Sequence, residues 1–386
     1  MSVTAAEGFV AAGLHAGIKR RKFDMAMIAT DDRQTVPCAA VFTQNKFAAP
    51  PVELGRATLG SNGGRAVAVI VNSGNANAGT GAPGYTDAQL MANAAAEALH
   101  VGPSDVLVCS TGIIGTPLPM EPILSHTSKL AKKLSFEGAD DAARGILTTD
   151  RKSKQVVIRG STFTIGGMAK GCGMIAPNMA TMLAFLTTDA KVPHSLMQKA
   201  LKAASDTTFN TLNVDGATST NDTAMLFASG RRGKADHDEF ANALLAACRD
   251  LTMQMARDAE GMTRIAHLEV SGARSSEEAR IAAKSIVENN LVKCSWYGGD
   301  PYWGRLMAAA GSAGVDLNVA KSHVAYGGII VAKGGTGIAH DGQALSEHMM
   351  GNEVEIEVHL GAGHASAKMI GIDLGPGYIK ENSKTS

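Results

Sequence analysis

Between Ala66 and Val71 the chain reads AVAVIV, and Val106–Val108 repeats the pattern on a smaller scale. Unbroken β-branched runs bounded by turn signals suit strands that are covered on both faces. Such a chain must therefore supply layers to cover them. Thr86–Leu99 places Leu90, Ala94 and Ala98 on one helical face, behind an expected capping box of Thr86 with Gln89. Ser195–Ala204, Asp238–Ala259 and Ser276–Val287 also read as helices. In the second of these, Leu244, Leu245, Cys248, Leu251 and Met255 form a core stripe at helical spacing. Glu353–His359 (EVEIEVH) alternates strictly and reads as a strand with one wet face. The fold class expected is α/β or α+β with mostly buried sheets. At roughly 150 residues per domain, 386 residues predict two or three units or lobes.

The chain carries 43 glycines, well above the usual share, with no three-residue period that would suggest collagen. Two stretches are too rich in turn formers to be plain connectors. One is Asn72–Gly84 (NSGNANAGTGAPG). The other, Lys170–Thr181 (KGCGMIAPNMAT), joins the strand-like Phe163–Gly167 to the apolar Met182–Leu186. Met174, Ile175, Met179, Met182 and Leu183 let the second bury side chains, which marks it as an ordered, special turn.

Charge and cysteine usage exclude several classes. Thirty-six basic residues balance 36 acidic ones, so no net field draws the chain to nucleic acid or an anionic membrane. Cys38, Cys109, Cys172, Cys248 and Cys294 are odd in number and form no CxxC pair, which argues against a disulfide framework or a zinc ribbon. The first residues show no signal-peptide pattern, and no run of 18 apolar residues occurs. The expected location is cytoplasmic.

Thr181 follows Ala180 and begins an apolar run. A threonine hydroxyl becomes a nucleophile when a base sits beside it, and one such base is the residue's own freed α-amine, whose pKa lies near ~8. Freeing that amine requires the Thr181 hydroxyl to attack the Ala180 carbonyl, an approach that upstream glycines permit. On these grounds alone a strand-starting threonine is an ordinary packing residue.

The run Lys170–Leu183 (KGCGMIAPNMATML) closely resembles the self-processing motif of the ornithine acetyltransferase family, the glutamate N-acetyltransferases of cyclic arginine biosynthesis. Phe42–Val52, Asn72–Ala78 (NSGNANA), Cys109–Gly115 (CSTGIIG), Thr148–Asp150 (TTD), Ser219–Thr223 (STNDT), Asp258–Gly261 (DAEG) and Asp300–Arg305 (DPYWGR) resemble further family blocks in the family's order. The resemblance spans essentially the whole chain.

It implies a precursor cleaved at Ala180–Thr181 into an α chain (1–180) and a β chain (181–386), assembled as α2β2. The implied fold is a layered αββα sandwich. Thr181 would take acetyl from N-acetylornithine as an acyl-enzyme and pass it to glutamate, with no metal or organic cofactor. Acetyl-CoA stands as a further candidate donor. The family's oxyanion residues fall on Thr111 and Gly112. Its substrate contacts fall on Thr148, Lys170, Thr181, Glu260, Asn382 and Ser386. Lys170 suits a substrate carboxylate and Glu260 a substrate amine.

The chain departs from the family pattern at Ala217, Tyr302, Gly375–Gly377 and the tail ENSKTS, which lacks an expected aromatic residue. These departures leave open a related acetyltransferase with another amino-acid substrate. An N-terminal-threonine aminopeptidase or amidase, in which water deacylates Thr181, is a second alternative, and an uncleaved scaffold a third. Cys109 and Cys172 are rival nucleophiles read as ordinary buried residues. Gly171–Gly173 lacks the rest of a phosphate loop. His359 and His364 show no cysteine or carboxylate pattern in sequence that would mark a metal site.

Overall fold

The computed structural model describes residues 2–176 and 182–384. Ala180, Thr181 and Ser386 lie outside them. A four-stranded sheet runs in the order Phe9–Leu14, Met25–Thr30, Ala68–Asn75, Val106–Ile113. Against it lies a six-stranded sheet, ordered Arg65–Ala66, Val36–Phe42, Thr223–Ala228, Leu183–Thr188, Thr164–Lys170, Lys154–Arg159. Phe9, Ile28, Val71 and Leu107 of the first sheet meet Met168, Phe185, Met225 and Phe227 of the second in one core.

The outer faces are covered as the β-branched runs require. Val69 and Val71 point into the inter-sheet core, while Ala68 and Ile70 join Met91, Ala95, Ile123 and Leu130 of helices Gly81–Leu99 and Met120–Lys132. On the far side, Ala184 and Leu186 pack with Met197, Leu201, Phe240, Leu244 and Leu251 of helices His194–Thr207 and His237–Ala256. The order of layers is helix, sheet, sheet, helix, as the resemblance implies.

A third sheet of seven strands forms a separate lobe. Its centre is Ala365–Ile372, Ile265–Ala273, Glu353–His359 and His323–Tyr326, packed on helices Ser276–Glu288, Asn290–Gly298 and Trp303–Gly311 through Leu268, Ile286, Trp296, Leu306 and Val358. Glu353–His359 is a strand over the expected span, with Val354, Ile356 and Val358 buried and Glu353 and Glu355 exposed.

Three local expectations change. The AVAVIV run is not one strand: Arg65–Ala66 pairs in the six-stranded sheet, and after Val67 the chain crosses into the four-stranded one. The helix expected from Thr86 begins at Gly81, and its N-cap, Thr80, makes no capping hydrogen bond with its side chain. Thr86 instead donates to the Ala82 carbonyl within the helix, at 3.4 Å. The loop read over Asn72–Gly84 contracts to residues 76–80, because strand and helix extend into it from both sides. Small residues without a hydrophobic stripe carry both extensions, so periodicity does not reveal them.

Candidate functional site

Strand Thr164–Lys170 pairs antiparallel with Leu183–Thr188, Lys170 lying opposite Leu183. The segment between them, which contains the Ala180–Thr181 bond, therefore leaves and re-enters one sheet at neighbouring strand ends. A cavity of about 690 Å³ opens there, lined by Thr111, Gly112, Thr148, Lys170, Glu260 and Asn382 among others. Every candidate site residue within the described part of the chain lies on this one cavity.

Thr111 and Gly112 end the strand Val106–Ile113. At Gly112 φ is +135°, and a Cβ there would stand 2.3 Å from the carbonyl carbon of Gly74. Only glycine fits. Asn221 ties this strand end to its surroundings, donating to the carbonyls of Ala76 (2.6 Å) and Ser110 (2.9 Å). Thus NSGNANA, CSTGIIG and STNDT, far apart in sequence, meet at one side chain.

Lys170 is buried, with its Nζ 3.4 Å from Thr111 Oγ1 and 4.0 Å from Asp150 Oδ2. Asp150 also accepts from Lys154 Nζ (2.6 Å) and from the Gly171 amide (2.7 Å). Burial opposes its ionisation, yet the Lys170 and Lys154 ammonium groups override it and hold the carboxyl well below the usual range. Lys154 bonds Asp258 in turn. The Thr148 amide and hydroxyl both approach Asp150 Oδ2, at 3.1 and 3.4 Å.

Glu260 follows helix His237–Ala256 and is nearly buried. Its Oε1 accepts from Thr149 Oγ1 (2.7 Å) and its Oε2 from Asn382 Nδ2 (2.8 Å). The tail, which composition alone would leave frayed, forms a helix over Pro376–Asn382 and reaches this carboxylate. Gly375–Gly377 explains how. Pro376 sits in the first turn, and a Cβ on Gly261 would fall 2.0 Å from the Tyr378 amide, so bare backbone lets the helix press against the chain just after Glu260. A Cβ on Gly377 would in turn stand 3.1 Å from Gly261 Cα, so the departure permits the same close approach. Ala217 and Tyr302 are exposed and do not line the cavity; Tyr302 stacks under Arg305 at 5.6 Å on the outer lobe.

Several residues here were not singled out from sequence: Thr149, Asp150, Lys154, Asp258, Asp215, Asn221 and Asp222. Asp215 accepts from the amides of Met174 (2.7 Å) and Ile175 (3.0 Å) and from the Tyr378 hydroxyl (3.1 Å), joining the stretch after Lys170 to the tail helix. Asp222 is fully buried. Its Oδ1 accepts from the Met182 amide at 2.9 Å, and its Oδ2 has no hydrogen-bond partner among the described residues. Burial pushes its carboxyl up to about 8. Asp150 and Asp222 stand inside the TTD and STNDT blocks, but nothing in the spacing reveals that Asp150 holds the Lys170–Gly171 end of the segment and Asp222 the Met182 end.

Burial disfavours the thiolate at both rival nucleophiles. Cys172 Sγ lies 3.1 Å from Thr149 Oγ1, and burial, aided by the Asp150 charge, pushes its thiol up to about 12. Burial does the same at Cys109.

Residues 10–386 match the model of the ArgJ family. The "Arginine biosynthesis bifunctional protein ArgJ" of Caldanaerobacter subterraneus subsp. tengcongensis is 42% identical over 97% of this chain and 96% of its own. The protein of the same name from Streptomyces coelicolor is 42% identical over the full length of both. Among solved structures, a chain of ornithine acetyltransferase complexed with ornithine, from Mycobacterium tuberculosis, is 40% identical over 46% of this chain and 94% of its own, with a TM-score of 0.44. With the match running over nearly its whole length, the chain belongs to the ArgJ family.

Proposed function

We propose that the chain transfers acetyl from N-acetylornithine to glutamate through an acetyl ester on Thr181, after cleaving its own Ala180–Thr181 bond. The observation that carries this reading is the placement of one buried cation, Lys170, and one nearly buried carboxylate, Glu260, on the cavity that also holds Thr111 and Gly112. A small zwitterionic substrate needs such a pair, one pole for its carboxylate and one for its amine.

Cleavage begins when Thr181 Oγ attacks the Ala180 carbonyl carbon. The peptide C–N bond breaks, its nitrogen gains a proton to become the free α-amine, and water hydrolyses the resulting ester. In turnover the amine takes the hydroxyl proton as Oγ attacks the acetyl carbon. The oxyanion forms against Thr111 and Gly112, where each well-placed donor commonly contributes ~3–4 kcal/mol. The amide C–N bond then breaks and the proton passes to the departing ornithine amine. Glutamate's amine attacks the acetyl ester in the second half, giving ping-pong kinetics. Asp222, holding the Met182 amide, supports this by fixing the backbone next to the nucleophile.

The relatives' name "bifunctional" supports acetyl-CoA as a second acetyl donor to glutamate. No helix among the described residues is long and apolar enough to cross a membrane, and we take the mature protein to be a cytoplasmic α2β2 assembly of chains 1–180 and 181–386. The test uses purified protein and Thr181→Ala. Wild type should run as two fragments and Thr181→Ala as one band near 39.8 kDa without turnover. Turnover by an uncut Thr181→Ala protein refutes the nucleophile. Acetate release from N-acetylornithine at an unchanged rate without glutamate favours the hydrolase.

A further inference from the structure

On the seven-stranded sheet, His323, Glu357 and His359 bring three ligand atoms within 4.8 Å of one another. None of the three lines the cavity around Lys170. His323 and His359 are cross-strand partners, and Glu357 precedes His359 by two, which puts all three on one face. The two rings stack with centroids 4.8 Å apart. His323 Nε2 stands 3.3 Å from Glu357 Oε1.

The tautomer of His359 follows from its neighbours. Ser271, its partner on the parallel strand, has Oγ 3.3 Å from Glu357 Oε1 and 3.0 Å from His359 Nδ1. A carboxylate only accepts, so the single hydroxyl proton of Ser271 goes to Glu357, and His359 Nδ1–H donates to Ser271 Oγ. That leaves the Nε2 lone pair free. Beneath the ring, a Cβ on Gly272 would lie 2.5 Å from His359 Cε1, so the imidazole sits directly on bare backbone.

We propose that His323 Nε2, His359 Nε2 and the Glu357 carboxylate bind one divalent transition metal of the zinc class, with Ser271 orienting His359 from behind. Two imidazoles and a carboxylate are a donor set that zinc and cobalt accept, leaving a fourth position for water. Bonds of ~2.0–2.1 Å require the donor atoms to close by roughly 1.5 Å to about 3.3 Å, and the two stacked rings to rotate until each in-plane lone pair faces the ion, in a partly exposed trio. The metal takes the place of the His323 Nε2–Glu357 contact, with the His323 proton carried on Nδ1. Bound there, it cross-links strands His323–Tyr326 and Glu353–His359.

The experiment titrates Co(II) and Zn(II) into the purified, chelator-treated mature protein. Expected are one Co(II) per 386-residue precursor equivalent, a visible d–d band, and a zinc-dependent rise in Tm. The double variant His323→Gln/His359→Gln should lose all three while keeping acetyl transfer, and Ser271→Ala should bind 10- to 100-fold more weakly. Acetyl transfer by the double variant shows that it is folded and keeps the test separate from the catalytic reading. Failure of the wild type to bind at millimolar metal, or binding by the double variant equal to wild type, overturns the site.

Discussion

Lys170 Nζ lies 3.4 Å from Thr111 Oγ1, although 59 residues separate them and they end strands of different sheets. The contact spans the inter-sheet core and places a fixed positive charge beside the proposed oxyanion position. Lys170→Met should lower kcat/KM about 10- to 150-fold, the ~1.5–3 kcal/mol of a charge-assisted hydrogen bond. Lys154 remains to satisfy Asp150, so the fold should persist. Steady-state kinetics beside a thermal melt check this, and a variant as active as wild type removes Lys170 from the site.

Gly112→Ala drives a Cβ into the Gly74 backbone from a φ of +135°. The strand end must then move, with strain of ~1–3 kcal/mol. A kcat loss of at least about 100-fold with little change in KM is expected, since an oxyanion donor acts on the transition state. A KM effect alone would reassign Gly112 to substrate binding.

Asp150→Asn leaves Lys154 and Lys170 buried beside a neutral amide, and breaking such a network costs ~3–5 kcal/mol. The pH dependence follows from the depressed carboxyl. Its stabilisation is fully present above the unfolded value near ~3.9 and is lost as pH falls through and below it. Denaturant melts should therefore show a wild-type advantage at pH 7 that shrinks towards strong acid. An advantage constant with pH contradicts the charge network.

Cys172→Ser should leave both cleavage and turnover within about tenfold of wild type, because the serine hydroxyl can keep the bond to Thr149 and no thiolate is available for chemistry. Alkylation of native protein followed by mass mapping should label Cys294, the exposed cysteine, and spare Cys38, Cys109, Cys172 and Cys248. Label on Cys172 with matching loss of activity would overturn this.

How far the chain could be read from sequence varies with the kind of contact. The strand Glu353–His359 and the helices near 195, 238 and 276 were legible because one periodicity governs each. The switch of sheets at Val67 was not, since both halves of AVAVIV are buried and look alike. Lys170, Glu260 and Thr111 were found through motif resemblance, whereas Asp150 and Asp222 act through partners that only the folded chain brings near. The same holds for His359: His364 is its neighbour in sequence, but the residue opposite it is His323, 36 positions upstream on another strand.

Under the proposed cut between Ala180 and Thr181, the pairing of Thr164–Lys170 with Leu183–Thr188 becomes a contact between chains. The two strands then belong to different polypeptides, and every later unfolding event is a dissociation. Refolding becomes second order in concentration, and the proximity that one continuous chain guaranteed the precursor is gone. The mature protein would persist by the slowness of its unfolding, a fold entered once and not readily re-entered.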